Sequence, residues 1–99
     1  MDQNEYILVS LIYEMYLKRV QRCKDSKKFQ KCVDREAIKE IGTFNYIEKY
    51  MSDKNFANLG NSIIELIKIN FIDVNKRNII ILTDKFFDYI NDNYIYRRI

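Results

Sequence analysis

The sequence predicts a mostly α-helical domain carrying one small β-hairpin, and three observations predict it. The 99 residues include no Pro and only two Gly, so the chain has few helix breakers and few of the turns that a many-stranded fold needs. Apolar residues recur at helical spacing in several separate stretches. Two runs rich in β-branched residues, Phe71-Ile72-Asp73-Val74 and Ile79-Ile80-Ile81-Leu82-Thr83, flank the polar connection Asn75-Lys76-Arg77-Asn78, which is the pattern of a hairpin. At this length a single domain over residues 1–99 is expected.

Residues 5–22 read as a long N-terminal helix. Leu8, Leu11, Ile12, Met15 and Val20 follow one face, and Tyr6, Ile7, Tyr13, Tyr16 and Leu17 widen the apolar stripe to a second side. A helix apolar on two sides must cover both, and in a small domain another subunit is one available cover. A homodimer through the N- and C-terminal helices is therefore expected.

Residues 34–69 read as a helix-rich region. Asp34 stands as an N-cap, Val33 and Ile38 form a hydrophobic staple, and Gly42 stands as a C-cap, so a second helix is expected to end at Gly42. Thr43 caps a short helix through Phe44, Ile47 and Met51. From about residue 54 to 69, Phe56, Leu59, Ile63, Leu66 and Ile67 form an apolar side, while Asn58, Asn61, Ser62, Glu65 and Lys68 form a small polar one. The hairpin occupies 71–83. Thr83 then caps a C-terminal helix over 84–96, with Phe86, Phe87, Ile90 and Tyr94 inward. Phe44, Phe56, Phe71 and Phe86 are expected in the core, and Tyr13, Tyr46, Tyr50, Tyr94 and Tyr96 are candidate surface anchors.

Charge is unevenly distributed. The net charge is +3, yet residues 18–31 hold seven bases (Lys18, Arg19, Arg22, Lys24, Lys27, Lys28, Lys31) against Asp25 alone, and the rest of the chain has ten bases against thirteen acids. Arg22, Lys24, Lys27, Lys28 and Lys31 form either a solvated loop or a patch facing phosphates. Cys23 and Cys32 bracket this stretch, and both free thiols and a disulfide between them are open.

The longest apolar runs are four residues, so no membrane-spanning segment is expected, and Met-Asp-Gln-Asn-Glu lacks the basic start of a secretory signal. A cytoplasmic protein is expected. Without His there is no His-based nucleophilic triad or HExxH zinc site, and two Cys do not complete a zinc site. Neither Gly belongs to a phosphate-binding loop motif. The chain is expected to be no enzyme and to use no cofactor or metal.

The run from Asn61 to Ile72, with the hairpin and Ile80-Ile81-Leu82-Thr83-Asp84-Lys85 after it, resembles the recognition helix, wing and wing exit of MarR- and PadR-type regulators. It is also similar to the small winged-helix proteins of archaeal viruses. The resemblance covers about residues 34–91 and departs from the family where Phe86 stands for the Gly after the exit Lys and Asn70 for the Gly before the wing. It implies a winged helix-turn-helix transcriptional regulator that binds duplex DNA as a homodimer, with one helix in the major groove. Asn55, Asn58 and Asn61 are suited to adenine edges, Ser62 to an adaptable contact, and Lys68, Lys76 and Arg77 to phosphates. Asn is also abundant here, at ten copies, as AT-rich coding sequence alone would make it. The small size and this bias suggest a virus or mobile element, in which case the localisation is the host cell interior. The competing expectation is a small non-enzymatic viral or mobile-element protein that binds and modulates a host protein complex through its aromatic residues.

Overall fold

The computed structural model describes residues 3–25, 38–56 and 59–93. Four helices and a three-stranded antiparallel sheet make up the described elements. In chain order these are α1 (Gln3–Asp25), β1 (Glu40–Thr43), α2 (Phe44–Asp53), α3 (Leu59–Lys68), β2 (Ile72–Val74), β3 (Ile79–Leu82) and α4 (Asp84–Asn93). No helix among the described residues is long and apolar enough to cross a membrane.

The long first helix exceeds the expected 5–22 by two to three residues at each end. Leu8, Val9, Ile12 and Met15 enter the core, and on the second apolar side Tyr6, Tyr13 and Tyr16 pack against it from within the chain. Tyr16 stacks at 6.4 Å on Tyr13 and meets Phe87 of α4 edge-on at 5.0 Å. Ile7 is the large apolar residue that α1 leaves exposed.

Residues 40–43 correct the sequence reading. The expected helix ending at Gly42 stops earlier: Ile38 is helical, Lys39 turns, and Glu40–Thr43 is a strand. β1 pairs with β3, giving the sheet order β1-β3-β2, so the hairpin gains a third strand that the sequence did not announce. The register is Glu40↔Ile81, Gly42↔Ile80 and Thr43↔Ile79, with Ile41 inserted as a bulge. The bulge turns Ile41 into the core, and Gly42 follows at φ +141°, a conformation that L side chains rarely adopt.

Thr43 leaves the strand at φ −73°, ψ 162° and accepts from the Tyr46 N–H at 3.2 Å, starting α2 as its residue type predicts. Ile47 and Met51 are buried, but Phe44 stays about one-third exposed, contrary to its expected core position. α2 closes on Asn55, which has φ 59°. The Phe56 N–H donates to Met51 O at 2.9 Å and that of Asn55 to Ser52 O at 3.0 Å, the two bonds of a Schellman cap.

α3 begins at Leu59, five residues after the expected start, and residues 57 and 58 lie outside the described part. It closes as α2 does: Asn70 has φ 62°, the Phe71 N–H donates to Leu66 O at 2.9 Å, and the Asn70 N–H donates to Ile67 O at 3.0 Å. In the hairpin the register is Ile72↔Leu82, Asp73↔Ile81 and Val74↔Ile80.

Thr83 fastens the last helix to this frame. Its hydroxyl donates to the carbonyls of Asn70 and Phe71 and accepts from the Phe86 N–H at 3.4 Å, joining the end of α3 to the start of α4. Phe86 and Ile90 are buried, while Tyr94 and Tyr96 lie outside the described residues.

Candidate nucleic-acid interface

The hairpin tip is built by asparagine chemistry. The Asn78 N–H donates to Asn75 O at 3.0 Å, closing the turn, and Asn78 takes φ 59°. The Asn75 carboxamide oxygen accepts from the Arg77 N–H at 2.8 Å and the Ile79 N–H at 3.1 Å, which fixes the loop from inside. Lys76 and Arg77 are thereby held at the two central positions of the turn, both exposed. Arg77 Nη2 lies 3.9 Å from Glu40 Oε2 of β1, and among the described residues Lys76 has no acidic partner.

The outer face of α3 differs from the expected polar one. Asn61 and Lys68 are exposed, with Lys68 Nζ 3.2 Å from Glu65 Oε1. Ser62, expected beside Asn61 on that face, is buried at 5 % exposure, because the inward stripe is Leu59, Ser62, Ile63 and Leu66. The helix is rotated about one position from the expected setting, so that Ile64 is 52 % and Ile67 38 % exposed. Ile67 was expected on the buried side. Asn55 is not at the start of α3 but is the left-handed cap of α2, and Asn58 lies outside the described residues.

Between the start of α2, α3 and the hairpin runs a cleft of about 580 Å³, lined by Phe44, Ile63, Ile67, Val74, Ile80 and Arg77 among others. Phe44, Ile64, Ile67 and Val74 are four of the six large hydrophobic side chains found exposed among the described residues. Sequence periodicity assigned two of these four, Phe44 and Ile67, inward.

The basic stretch enters the described structure through Lys18, Arg19 and Arg22 of α1. The side chains of Lys24, Lys27, Lys28 and Lys31 lie outside the described part, as does Cys32. Cys23 is disulfide-bonded. Tyr50 is half-buried rather than a free surface anchor, and its hydroxyl donates to Glu14 Oε1 at 2.9 Å. Tyr13 is likewise half-buried. Lys18 and Lys54 each lie 3.2 Å from the same Glu14 oxygen, and both ammonium groups stand over the Tyr50 ring, at 5.4 and 5.7 Å. The hydrogen bond from Tyr50, then that from Lys18, holds the Glu14 carboxyl below its ordinary range. Glu14 raises Lys18 in turn, and burial followed by the Glu14 contact raises Tyr50.

Among the described residues no group of His, Cys, Asp and Glu could hold a metal ion. Compared with known protein families, curated proteins and solved structures, the chain matches none of them.

Proposed function

We propose that this chain is a non-enzymatic, winged helix-turn-helix protein that binds duplex DNA as a transcriptional regulator, with α3 in the major groove and the tip of the β2–β3 hairpin on phosphates. The observation that carries the reading is the arrangement β1-α2-α3-β2-β3 with β1 hydrogen-bonded to β3. That arrangement leaves one face of α3 and the basic hairpin tip exposed together. Asn61 is chemically suited to an adenine edge, Ile64 to the methyl group of thymine, and Lys76 and Arg77 to the backbone. The proposed assembly is a homodimer through α1 and α4, for which Ile7 supplies exposed apolar surface; sedimentation at micromolar concentration tests it, and a monomeric mass removes it.

The test of DNA binding is a duplex titration by fluorescence anisotropy at several salt concentrations, with the wild type beside a Lys76→Ala, Arg77→Ala variant. Affinity should fall steeply between about 50 and 200 mM salt, and the variant should reduce the log–log slope by about two. Absence of duplex binding at low salt refutes the proposal.

A second reading is favoured by one specific observation, the gathering of Phe44, Ile64, Ile67 and Val74 on one side. Such a patch suits a protein partner, including a host complex if the chain is viral. Binding of that kind changes little with salt, which separates it from the first reading in the same titration format.

A further inference from the structure

The geometry points to the cleft between the start of α2, α3 and the β2–β3 hairpin as the binding site of a small amphiphile, an aliphatic chain ending in a carboxylate. Its volume, about 580 Å³, is within the usual range for small-molecule sites. The site rests on neither the duplex reading nor the protein-partner reading, although it shares the outer face of α3 with both.

The apolar trough is an opening in the core. Val74 pairs with Ile80 and Ile72 with Leu82, so these four side chains share one face of the sheet. Ile72, Ile80 and Leu82 are buried, whereas Val74 is 42 % exposed. The cleft begins at that point, with Ile63 and Ile80 as its floor and Phe44, Ile67 and Val74 as its sides. Three apolar side chains from three elements thus meet water around one recess, and a methylene chain laid there removes that surface from water. Phe44 supplies the one ring among these five, so they offer no pair of aromatic faces to sandwich a flat ligand.

The end of the trough at the hairpin tip is marked by charge. Arg77 is the charged side chain among the described residues that line the cleft, and it is 75 % exposed. Its contact with Glu40 Oε2 at 3.9 Å is single and long, and leaves the other N–H groups of the guanidinium without an acceptor among the described residues. The carboxamides of Asn45 and Asn78 border the same cleft and have no hydrogen-bond partner among the described residues. A guanidinium forks onto a carboxylate with two parallel bonds, and amide N–H groups donate to the same oxygens. Nearby acids are engaged elsewhere. Glu65 lies 3.2 Å from Lys68 Nζ, and Asp73, on the opposite face of β2 from Val74, accepts the Val74 N–H at 2.8 Å.

An extended peptide is a poorer occupant. β2 is an edge strand, and with its Val74 N–H already bound to Asp73 the edge withholds a donor that an added strand would use. The cleft lies at the tip end of the sheet, where Thr43 pairs with Ile79. Ile38 and Lys39 join the sheet away from it, where the Lys39 carbonyl accepts from the Leu82 N–H at 3.0 Å.

The test is a ¹⁵N-resolved NMR titration of the full chain with sodium decanoate below its micellar concentration. The amides of Ile67, Val74 and Arg77 should shift saturably while those of α4 stay in place. Octanoate should bind about ten-fold more weakly than decanoate, the loss of two buried methylenes. Octanol, octylamine and benzoate should each bind at least five-fold more weakly than octanoate. Arg77→Ala should weaken decanoate about ten-fold, the loss of a hydrogen bond between charged groups, and Lys76→Ala less than two-fold. Both side chains are exposed, so neither variant removes core packing. No DNA is present, so the outcome is independent of the duplex titration. Movement of the same three amides on dilution of the ligand-free protein assigns the cleft to a second copy of the chain and overturns the inference. So do unmoved amides at millimolar decanoate, octanol or benzoate binding as tightly as octanoate, or unchanged binding by Arg77→Ala.

Discussion

Replacing Gly42 by alanine tests the bulge, the strand and the packing of the Tyr46 ring on residue 42 together. Two costs are expected. A residue with a β-carbon at φ +141° is strained by about 1–3 kcal/mol. The new β-carbon also meets Tyr46 Cδ1 at 2.8 Å, and because Tyr46 is half exposed its ring can swing outward, losing packing worth about 1 kcal/mol. The sum, about 2–4 kcal/mol, is a large fraction of the total stability of a small domain. In urea it should lower the unfolding midpoint by about 2 M, given a slope of about 1–1.5 kcal/mol per M for a chain of this size. The same substitution in a Tyr46→Ala background removes the collision but keeps the backbone strain, so the two contributions separate as a coupling energy of about 1 kcal/mol. Gly60 supplies the opposite sign: a β-carbon there meets nothing within 4 Å and lies in a helix, so Gly60→Ala should stabilise by about 0.5–1 kcal/mol. A Gly42→Ala cost below about 0.5 kcal/mol in both backgrounds would falsify the argument, because neither strain nor close approach could then be present.

Thr83→Val should cost about 1–2 kcal/mol in chemical denaturation by removing the hydroxyl that joins Asn70 and Phe71 to the start of α4, while Thr83→Ser should recover most of it. Asn70→Gly should be neutral or stabilising and Asn70→Ala should cost about 1 kcal/mol, since φ 62° penalises a β-carbon; equal effects of the two would contradict the left-handed cap. Glu14 has a lowered value in the folded chain, from its hydrogen bond to Tyr50 first and to Lys18 next. Its contribution is therefore present above the ordinary glutamate range and lost as pH falls through the lowered folded value. The stability gap between wild type and Glu14→Gln should accordingly be seen at neutral pH and close in acid, and a gap that widens on acidification would reverse the assigned sign.

What could be read from the sequence was what neighbouring residues determine. Thr43 and Thr83 begin helices because a hydroxyl at that position reaches the N–H groups of the first turn, a matter of three residues. The hairpin and its basic tip were legible for the same reason, with Asn75 organising its own loop. β1 was not legible. Its sequence, Glu40-Ile41-Gly42-Thr43, is as compatible with a helix end as with a strand, and its pairing partner lies about forty residues further along the chain. The close approach of the Tyr46 ring to Gly42, next to the bulge at Ile41, was invisible along with the strand. The outer face of α3 failed in another way. Helical spacing locates an apolar stripe only to within about one residue when Ile63, Ile64, Leu66 and Ile67 are all candidates, and tertiary packing selected Ile63 and Leu66.

Asparagine needs dividing by role before any of it is assigned to DNA. Asn55, Asn70 and Asn78 all hold positive φ, doing in a chain with two glycines what glycine commonly does at helix ends and turns. Their presence is explained by the backbone, which leaves Asn61 as the exposed asparagine of α3 without such an explanation. The charges near it divide in the same manner. Lys68 lies 3.2 Å from Glu65 and Arg77 3.9 Å from Glu40, so of these three Lys76 is the cation without an acidic partner among the described residues. Attraction to phosphate at this surface must therefore come mainly from the hairpin tip, with Arg77 released from a long, exposed ion pair that holds it only weakly. The apolar neighbours Ile64 and Ile67 add nothing to that attraction. If duplex DNA is the partner, the electrostatic part of binding is concentrated in two residues, while discrimination among sequences falls to Asn61 and Ile64, and the two properties should be separable by mutation.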